Sequence, residues 1–107
     1  MNDDLEIICD ELAARIKEGE ELFLLDVRQA WEHQLARLDG STLISLQTIP
    51  ARVMEIPRDR EVVTYCHHGM RSLQAARFLR QQGIRARSLR GGIDHWSIAI
   101  DPTTPRY

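Results

Sequence analysis

Two short apolar runs constrain this fold most strongly: Leu22-Phe23-Leu24-Leu25-Asp26 and Glu61-Val62-Val63-Thr64-Tyr65. Neither alternates with polar residues, so both faces of each strand need cover. That is the situation of a central strand in a parallel sheet, and parallel neighbours require crossover connections. The intervening segments read that way. Leu5–Ile8 suits an edge strand. Asp10 is placed to cap a helix with Leu12 and Ile16 on one face and Gly19 at its end. Gln29–Leu35 reads as a short helix broken near Gly40, Leu43–Ser45 as a weak strand, and Gln47–Met54 as a helix stopped before Pro57. Ser72–Gln82 carries Leu73, Ala76 and Leu79 on one stripe, widened by Ala75 and Phe78, with Gly83 as terminator. Ala86–Leu89 is a strand, Gly91-Gly92 a turn, Ile93–Ile98 a short helix, and Asp101–Tyr107 an extended tail with two prolines. Strands alternating with helices predict a parallel α/β sheet. No linker or repeat divides the 107 residues, so residues 1–107 are expected to form a single domain.

Composition narrows the function. No apolar run approaches the roughly 20 residues of a membrane helix. The start, Met1-Asn2-Asp3-Asp4, is acidic and lacks the basic-then-apolar pattern of a secretory signal. Two cysteines in unlike settings, Cys9 and Cys66, do not make a disulfide framework, and a reducing, cytoplasmic location is expected. The net charge is only −2, but residues 1–21 hold eight acids and two bases, whereas residues 66–107 hold seven arginines and two acids. A positive half suits a small anion or an acidic partner. No basic helix or aromatic stripe points to nucleic acid.

The chemistry concentrates after the second apolar strand, in Cys66-His67-His68-Gly69-Met70-Arg71, with a helix expected from about Ser72. Open α/β sheets place ligands beyond the carboxyl ends of their strands. The following helix offers free amides and a positive dipole end, and a loop curled over it forms an anion nest. Gly69 relieves the curl, Arg71 adds a cation, and Ser72 is a suitable cap. Helix N-termini and cationic neighbours favour the thiolate form of cysteine. Cys66 is therefore the expected nucleophile. His67 and His68 are expected to shape the rim rather than act as bases, and Met70 to contact the rim. Cys9 reads as a small apolar filler.

At these residues the chain resembles the rhodanese-like sulfurtransferase family. The resemblance is carried by Leu24-Leu25-Asp26-Val27-Arg28 with Trp31-Glu32, by Tyr65-Cys66-His67-His68-Gly69-Met70-Arg71-Ser72, by Leu89-Arg90-Gly91-Gly92-Ile93-Asp94-His95-Trp96, and by Asp101-Pro102-Thr103-Thr104-Pro105-Arg106-Tyr107. The last piece is similar to the end of the rhodanese domain fused to enzymes that adenylate sulfur-carrier proteins. The resemblance implies a three-layer α/β fold with a central, mostly parallel five-stranded sheet flanked by helices. It implies a thiosulfate sulfurtransferase in which Cys66 takes sulfane sulfur as a covalent persulfide and passes it to cyanide, a thiol or a protein acceptor. Loop amides from His67 through Ser72 hold the persulfide, and Arg71 stabilises its charge. Asp26 and Arg28 organise the fold around the site, with Gly91, Gly92 and Trp96 supplying a turn and packing helix near it. A small anionic sulfur donor and a sulfur-carrier or thiol protein acceptor are the implied partners. No metal or organic cofactor, no nucleic acid and no membrane are expected. The family's usual glycine-histidine and glycine-alanine pairs after Glu32 are replaced by Ala36-Arg37-Leu38-Asp39-Gly40-Ser41, which retains only the glycine.

The same residues bear on two other functions. Tyrosine and dual-specificity phosphatases place five residues between loop cysteine and arginine; here four separate Cys66 from Arg71, and Tyr65 rather than histidine precedes. The tighter ring suits one terminal sulfur better than a phosphate, so a phosphatase or arsenate reductase is disfavoured. A non-catalytic rhodanese-like binding module is the main alternative, although such modules usually lose the cysteine or distort the loop. A zinc site from Cys66, His67, His68 and His95 is disfavoured, because the first three are contiguous and match no common ligand spacing.

Overall fold

The computed structural model describes residues 4–107; residues 1–3, and with them most of the acidic start, lie outside the described residues. The strands are β1 (Glu6–Ile7), β2 (Phe23–Asp26), β3 (Thr42–Leu43), β4 (Val62–Tyr65) and β5 (Ala86–Leu89). They form one sheet in the order β1-β5-β4-β2-β3, with every pairing parallel. The two apolar runs lie side by side near its centre, Leu24 opposite Val63 and Leu25 opposite Thr64. The helices are α1 (Cys9–Lys17), α2 (Ala30–Leu35), α3 (Ile49–Arg52), α4 (Met70–Gln81) and α5 (Gly92–Ala99).

The alternation of side chains along a strand splits the core in two. Leu25, Val27 and Val62 face one side with Ala75, Ala76 and Leu79 of α4 and Ile49 of α3. Leu24, Val63 and Tyr65 face the other with Leu12 of α1 and Ile93 of α5. Covering both faces produces the three-layer α/β fold expected from the sequence.

Several boundaries differ from expectation for local reasons. α1 begins at Cys9 after Ile8, so Asp10 is inside the first turn rather than its cap, where its charge still complements the helix dipole. The segment expected as one helix over 47–54 is a 3-10 turn (Leu46–Thr48), the four-residue α3 with Pro50 near its start, and a second 3-10 turn (Val53–Glu55). α4 begins at Met70 with Gly69 as N-cap, which puts Ser72 within the helix and not at its cap. The tail is not simply extended: Asp101 Oδ1 accepts from the Thr103 amide at 3.0 Å and its hydroxyl at 2.6 Å, closing a turn.

The separated charges of the sequence meet in space. Because β1 lies beside β5, Asp4 reaches Arg80 at 3.2 Å, Glu11 reaches Arg87 at 3.1 Å and Glu6 reaches Arg90 at 3.0 Å. The arginine-rich half is therefore not an open electropositive face on this side.

Candidate active site

β4 delivers Cys66 to the carboxyl end of the sheet, where the side chain is 1% exposed. Its Sγ lies 3.1 Å from the Gly69 amide and 3.4 Å from the Ser72 amide, both donating to sulfur. These two donors stand at the N-cap and first turn of α4, a 12-residue helix whose dipole adds positive potential. Gly69 makes the curl at φ +115, a backbone conformation that side chains disfavour. Ser72 Oγ is 3.5 Å from the sulfur, 3.2 Å from Gly69 O and 2.7 Å from Ser88 Oγ. While the serine proton rests on Gly69 O, its oxygen accepts from the Cys66 thiol; turned toward sulfur, the same hydroxyl donates to a thiolate.

α5 holds this loop from the outside. Its free first-turn amides are used: Ile93 N–H donates to Cys66 O at 2.9 Å and Asp94 N–H to His67 O at 3.1 Å. Gly92 sits against the same two carbonyls, and a Cβ there would collide with both. Gly91 packs against His95 in the same turn.

A polar chain runs beside the loop. Asp26 and Arg28 are both fully buried. Asp26 Oδ1 accepts from Arg28 Nε at 2.8 Å, and Oδ2 accepts from Arg28 Nη2 at 2.7 Å. Arg28 Nη1 donates to the Tyr107 hydroxyl at 2.7 Å, which donates to Glu32 Oε2 at 2.7 Å. Glu32 in turn accepts from Arg71 through both oxygens, at 2.8 and 3.0 Å. It also completes a capping box with Gln29 at the start of α2. The Arg71 charge thus reaches the loop paired with a carboxylate, so the amides are the unopposed positive potential at the sulfur.

Burial opposes the charge on Glu32, yet the Arg71 guanidinium, the Gln29 amide and the Tyr107 hydroxyl hold its carboxyl at about 2. A carboxylate with its folded value below its ordinary one stabilises the fold above about pH 4.5 and loses that contribution as pH falls toward 2. The contribution is on the order of 3 kcal/mol at neutral pH. Urea unfolding of the native chain and Glu32→Gln should therefore differ most above pH 6, with more than half of the difference gone by about pH 3. A difference independent of pH would contradict the pairing.

The His67 ring is sandwiched, 4.0 Å from His68 and 3.9 Å from Tyr107. Its Nε2 is buried without a hydrogen-bond partner, an arrangement that costs about 1–3 kcal/mol. Burial, and then His68, push its imidazole below the ordinary value. Met70 is exposed at the rim. Trp96 lies elsewhere, lining a 210 Å³ cavity with Leu24, Leu38 and Thr104. Cys9 packs in the second core cluster, where burial, with help from Asp10, pushes its thiol up to about 11. Both cysteines are free.

The loop, Asp26, Arg28, Gly91 and Gly92 therefore converge, and Trp96 does not join them. Sequence reasoning missed the roles of Glu32, Ser88 and Tyr107. The Gln29-to-Glu32 spacing is a capping signal that points to Glu32. Ser88 offers none, being one small residue in a strand, and Tyr107 meets partners 75 and 79 residues away.

The family model described as "Rhodanese-like domain" matches residues 9–99. A sulfurtransferase of Allochromatium vinosum is 40% identical over 93 residues, covering 86% of this chain and 87% of the relative. An adenylyltransferase and sulfurtransferase of Zea mays is 31% identical over 109 residues, 94% of this chain but 23% of that protein. Among solved structures, a rhodanese-related protein from Thermoplasma volcanium superposes with a TM-score of 0.81 at 29% identity, covering 94% of each chain. A rhodanese-like domain protein from Staphylococcus aureus superposes with a TM-score of 0.83 at 25% identity, covering 95% of this chain and 97% of that one.

Proposed function

We propose that this chain, which belongs to the rhodanese-like sulfurtransferase family, draws sulfane sulfur from a small anionic or protein persulfide donor and passes it from Cys66 to a thiol acceptor. It is a sulfurtransferase working through a buried cysteine. The single observation that carries the loop's role is the placement of Sγ at the focus of the Gly69 and Ser72 amides.

In the forward half-reaction the Cys66 thiolate attacks the outer sulfur of thiosulfate. The S–S bond breaks, sulfite leaves with the bonding pair, and Cys66 carries a terminal S–S⁻. In the return half-reaction an acceptor such as cyanide or a thiolate attacks that terminal sulfur and regenerates the Cys66 thiolate. Both transition states place negative charge beside the Gly69 and Ser72 amides, which are already oriented and need no reorganisation. Gly69 and Ser72 donate to the sulfur, while His67, His68 and Met70 frame the approach. Arg71 fixes α4 against α2 through Glu32 and adds a partly cancelled charge. Asp26 and Arg28 position that pair through Tyr107, and Gly91 and Gly92 let α5 hold the loop carbonyls.

The finer assignments belong to the same reading. Residues 1–107 act as one catalytic domain. The Asp101–Tyr107 tail and the similarity to the Zea mays enzyme support kinship with rhodanese domains fused to carrier-adenylating enzymes. A sulfur-carrier or thiol protein is then the natural acceptor. Two free cysteines support a reducing, cytoplasmic setting, and no helix among the described residues is long and apolar enough to cross a membrane.

The test is steady-state transfer from thiosulfate to cyanide. A covalent relay gives parallel double-reciprocal lines as the second substrate is varied. Cys66→Ser should lower kcat/KM by at least about 10³-fold, whereas Cys9→Ser should leave it within about twofold. Intersecting lines, or an active Cys66→Ser, would overturn the proposal.

A further inference from the structure

We propose that His67, His68 and Asp94 form a binding site for a divalent d-block cation, with zinc the best match, at the rim of the Cys66 loop. One ligand atom from each residue lies within 4.8 Å of the other two. His68 Nε2 stands 3.8 Å from Asp94 Oδ2, too far for a hydrogen bond and near the span that an ion bridges. The independent pointer is His67, whose buried Nε2 has no partner and so keeps an unused donor or lone pair.

Two of the three residues are held on rigid supports. The His67 ring is fixed by stacking on Tyr107 at 3.9 Å. Asp94 is fixed to the loop by its own amide, which donates to His67 O at 3.1 Å. Only His68 is mobile at its end, with a side chain 65% exposed. Tetrahedral zinc wants ligand atoms about 3.3 Å apart, given bonds near 2.0 Å, so the three atoms draw in from within 4.8 Å as the exposed His68 ring turns off its 4.0 Å stack on His67 to aim a lone pair at the ion. The Arg106 guanidinium now donates to both Asp94 oxygens, at 2.9 and 3.3 Å, and yields the longer contact when the carboxylate turns to the ion.

The ligand set decides the ion. Two imidazoles and one carboxylate suit zinc and its d-block neighbours. Calcium and magnesium, which take six or more oxygens, find one carboxylate here. Three protein ligands leave a fourth position open to water or to an anion. The Cys66 sulfur is not among the ligands and stays engaged by its amides. The inferred role is binding alone, at the rim of the loop that carries Cys66.

Zinc binding to the whole chain carrying Cys66→Ser, followed by calorimetry, tests the site without any contribution from the Cys66 thiol. We expect one equivalent bound, with affinity weakened at least 10-fold by His68→Ala or Asp94→Asn added to that background. Thermal melts without zinc check that changing the exposed His68 or the part-buried Asp94 leaves the fold intact. Cobalt in place of zinc should give visible d–d bands without a near-ultraviolet thiolate band, in the presence or absence of Cys66. Loss of binding in Cys66→Ser, a thiolate band, no binding at about 100 μM zinc, or full affinity in both added variants would each overturn the proposal.

Discussion

Gly92→Ala should disable the site and weaken the fold together. Gly92 has φ +63, and an added Cβ would fall on the carbonyl groups of Cys66 and His67. Those are backbone atoms of the loop, already bonded to the Ile93 and Asp94 amides, so no flexible side chain can yield. Either α5 moves away and both hydrogen bonds are lost, or the loop shifts and the amides miss the sulfur. A displacement of about 1 Å at a reacting centre costs on the order of 10²-fold in rate. Stability should fall by roughly 2–4 kcal/mol. Gly40→Ala is the internal control. Gly40 has a similar φ, +77, but nothing within 4 Å of an added Cβ. It should carry only the backbone strain, about 1–2 kcal/mol, with sulfur transfer unchanged. Equal activity and equal urea midpoints for the two variants would show that the Gly92 contact with the loop is not what positions it.

Arg28→Met should cause the largest loss of stability, about 3–5 kcal/mol. The substitution removes the guanidinium that now holds both oxygens of the fully buried Asp26, which keeps only the residue-28 amide, the His33 ring and the Tyr65 hydroxyl as partners. It also takes a donor from Tyr107 and one from Ala36 O. A domain of ordinary stability has only about 5–15 kcal/mol to lose, so the variant should unfold at much lower urea. Removing the acid that loses its cation as well, in Arg28→Met with Asp26→Asn, should recover part of the loss through the coupling of the pair. A single variant within about 1 kcal/mol of the native chain would contradict the assignment of this pair as the buried support of the site.

The parts of this molecule that were readable from sequence are those written in local patterns. Val62-Val63 and Leu24-Leu25 announce central strands because covered strands need apolar residues on both faces. The Cys66 loop is readable because it lies between such a strand and an amphipathic helix, where sheet geometry puts sites. What was not readable depends on the topology. The arginines of the C-terminal half look like an anion-attracting surface until β1 is found beside β5, which sets Asp4, Glu6 and Glu11 against them. Arg71 looks like a free cation at the sulfur until Glu32, 39 residues earlier, is found on its guanidinium. Ser72 looks like a helix cap because serine favours that position where the helix is expected to start, but Gly69 takes the turn and frees the serine hydroxyl for the sulfur and Ser88. The family resemblance puts Trp96 on a packing helix near the loop, and that helix turns its side chain one face away, into the cavity with Leu24 and Leu38.

The central claim is that Cys66 carries the sulfur. Intact mass spectrometry of the reduced chain after exposure to excess thiosulfate tests it most directly. A single adduct of about 32 Da is expected, removed by cyanide, retained in Cys9→Ser and absent from Cys66→Ser. An adduct that persists in Cys66→Ser would contradict the claim, as would silence at Cys66 with both thiosulfate and a persulfidated protein donor.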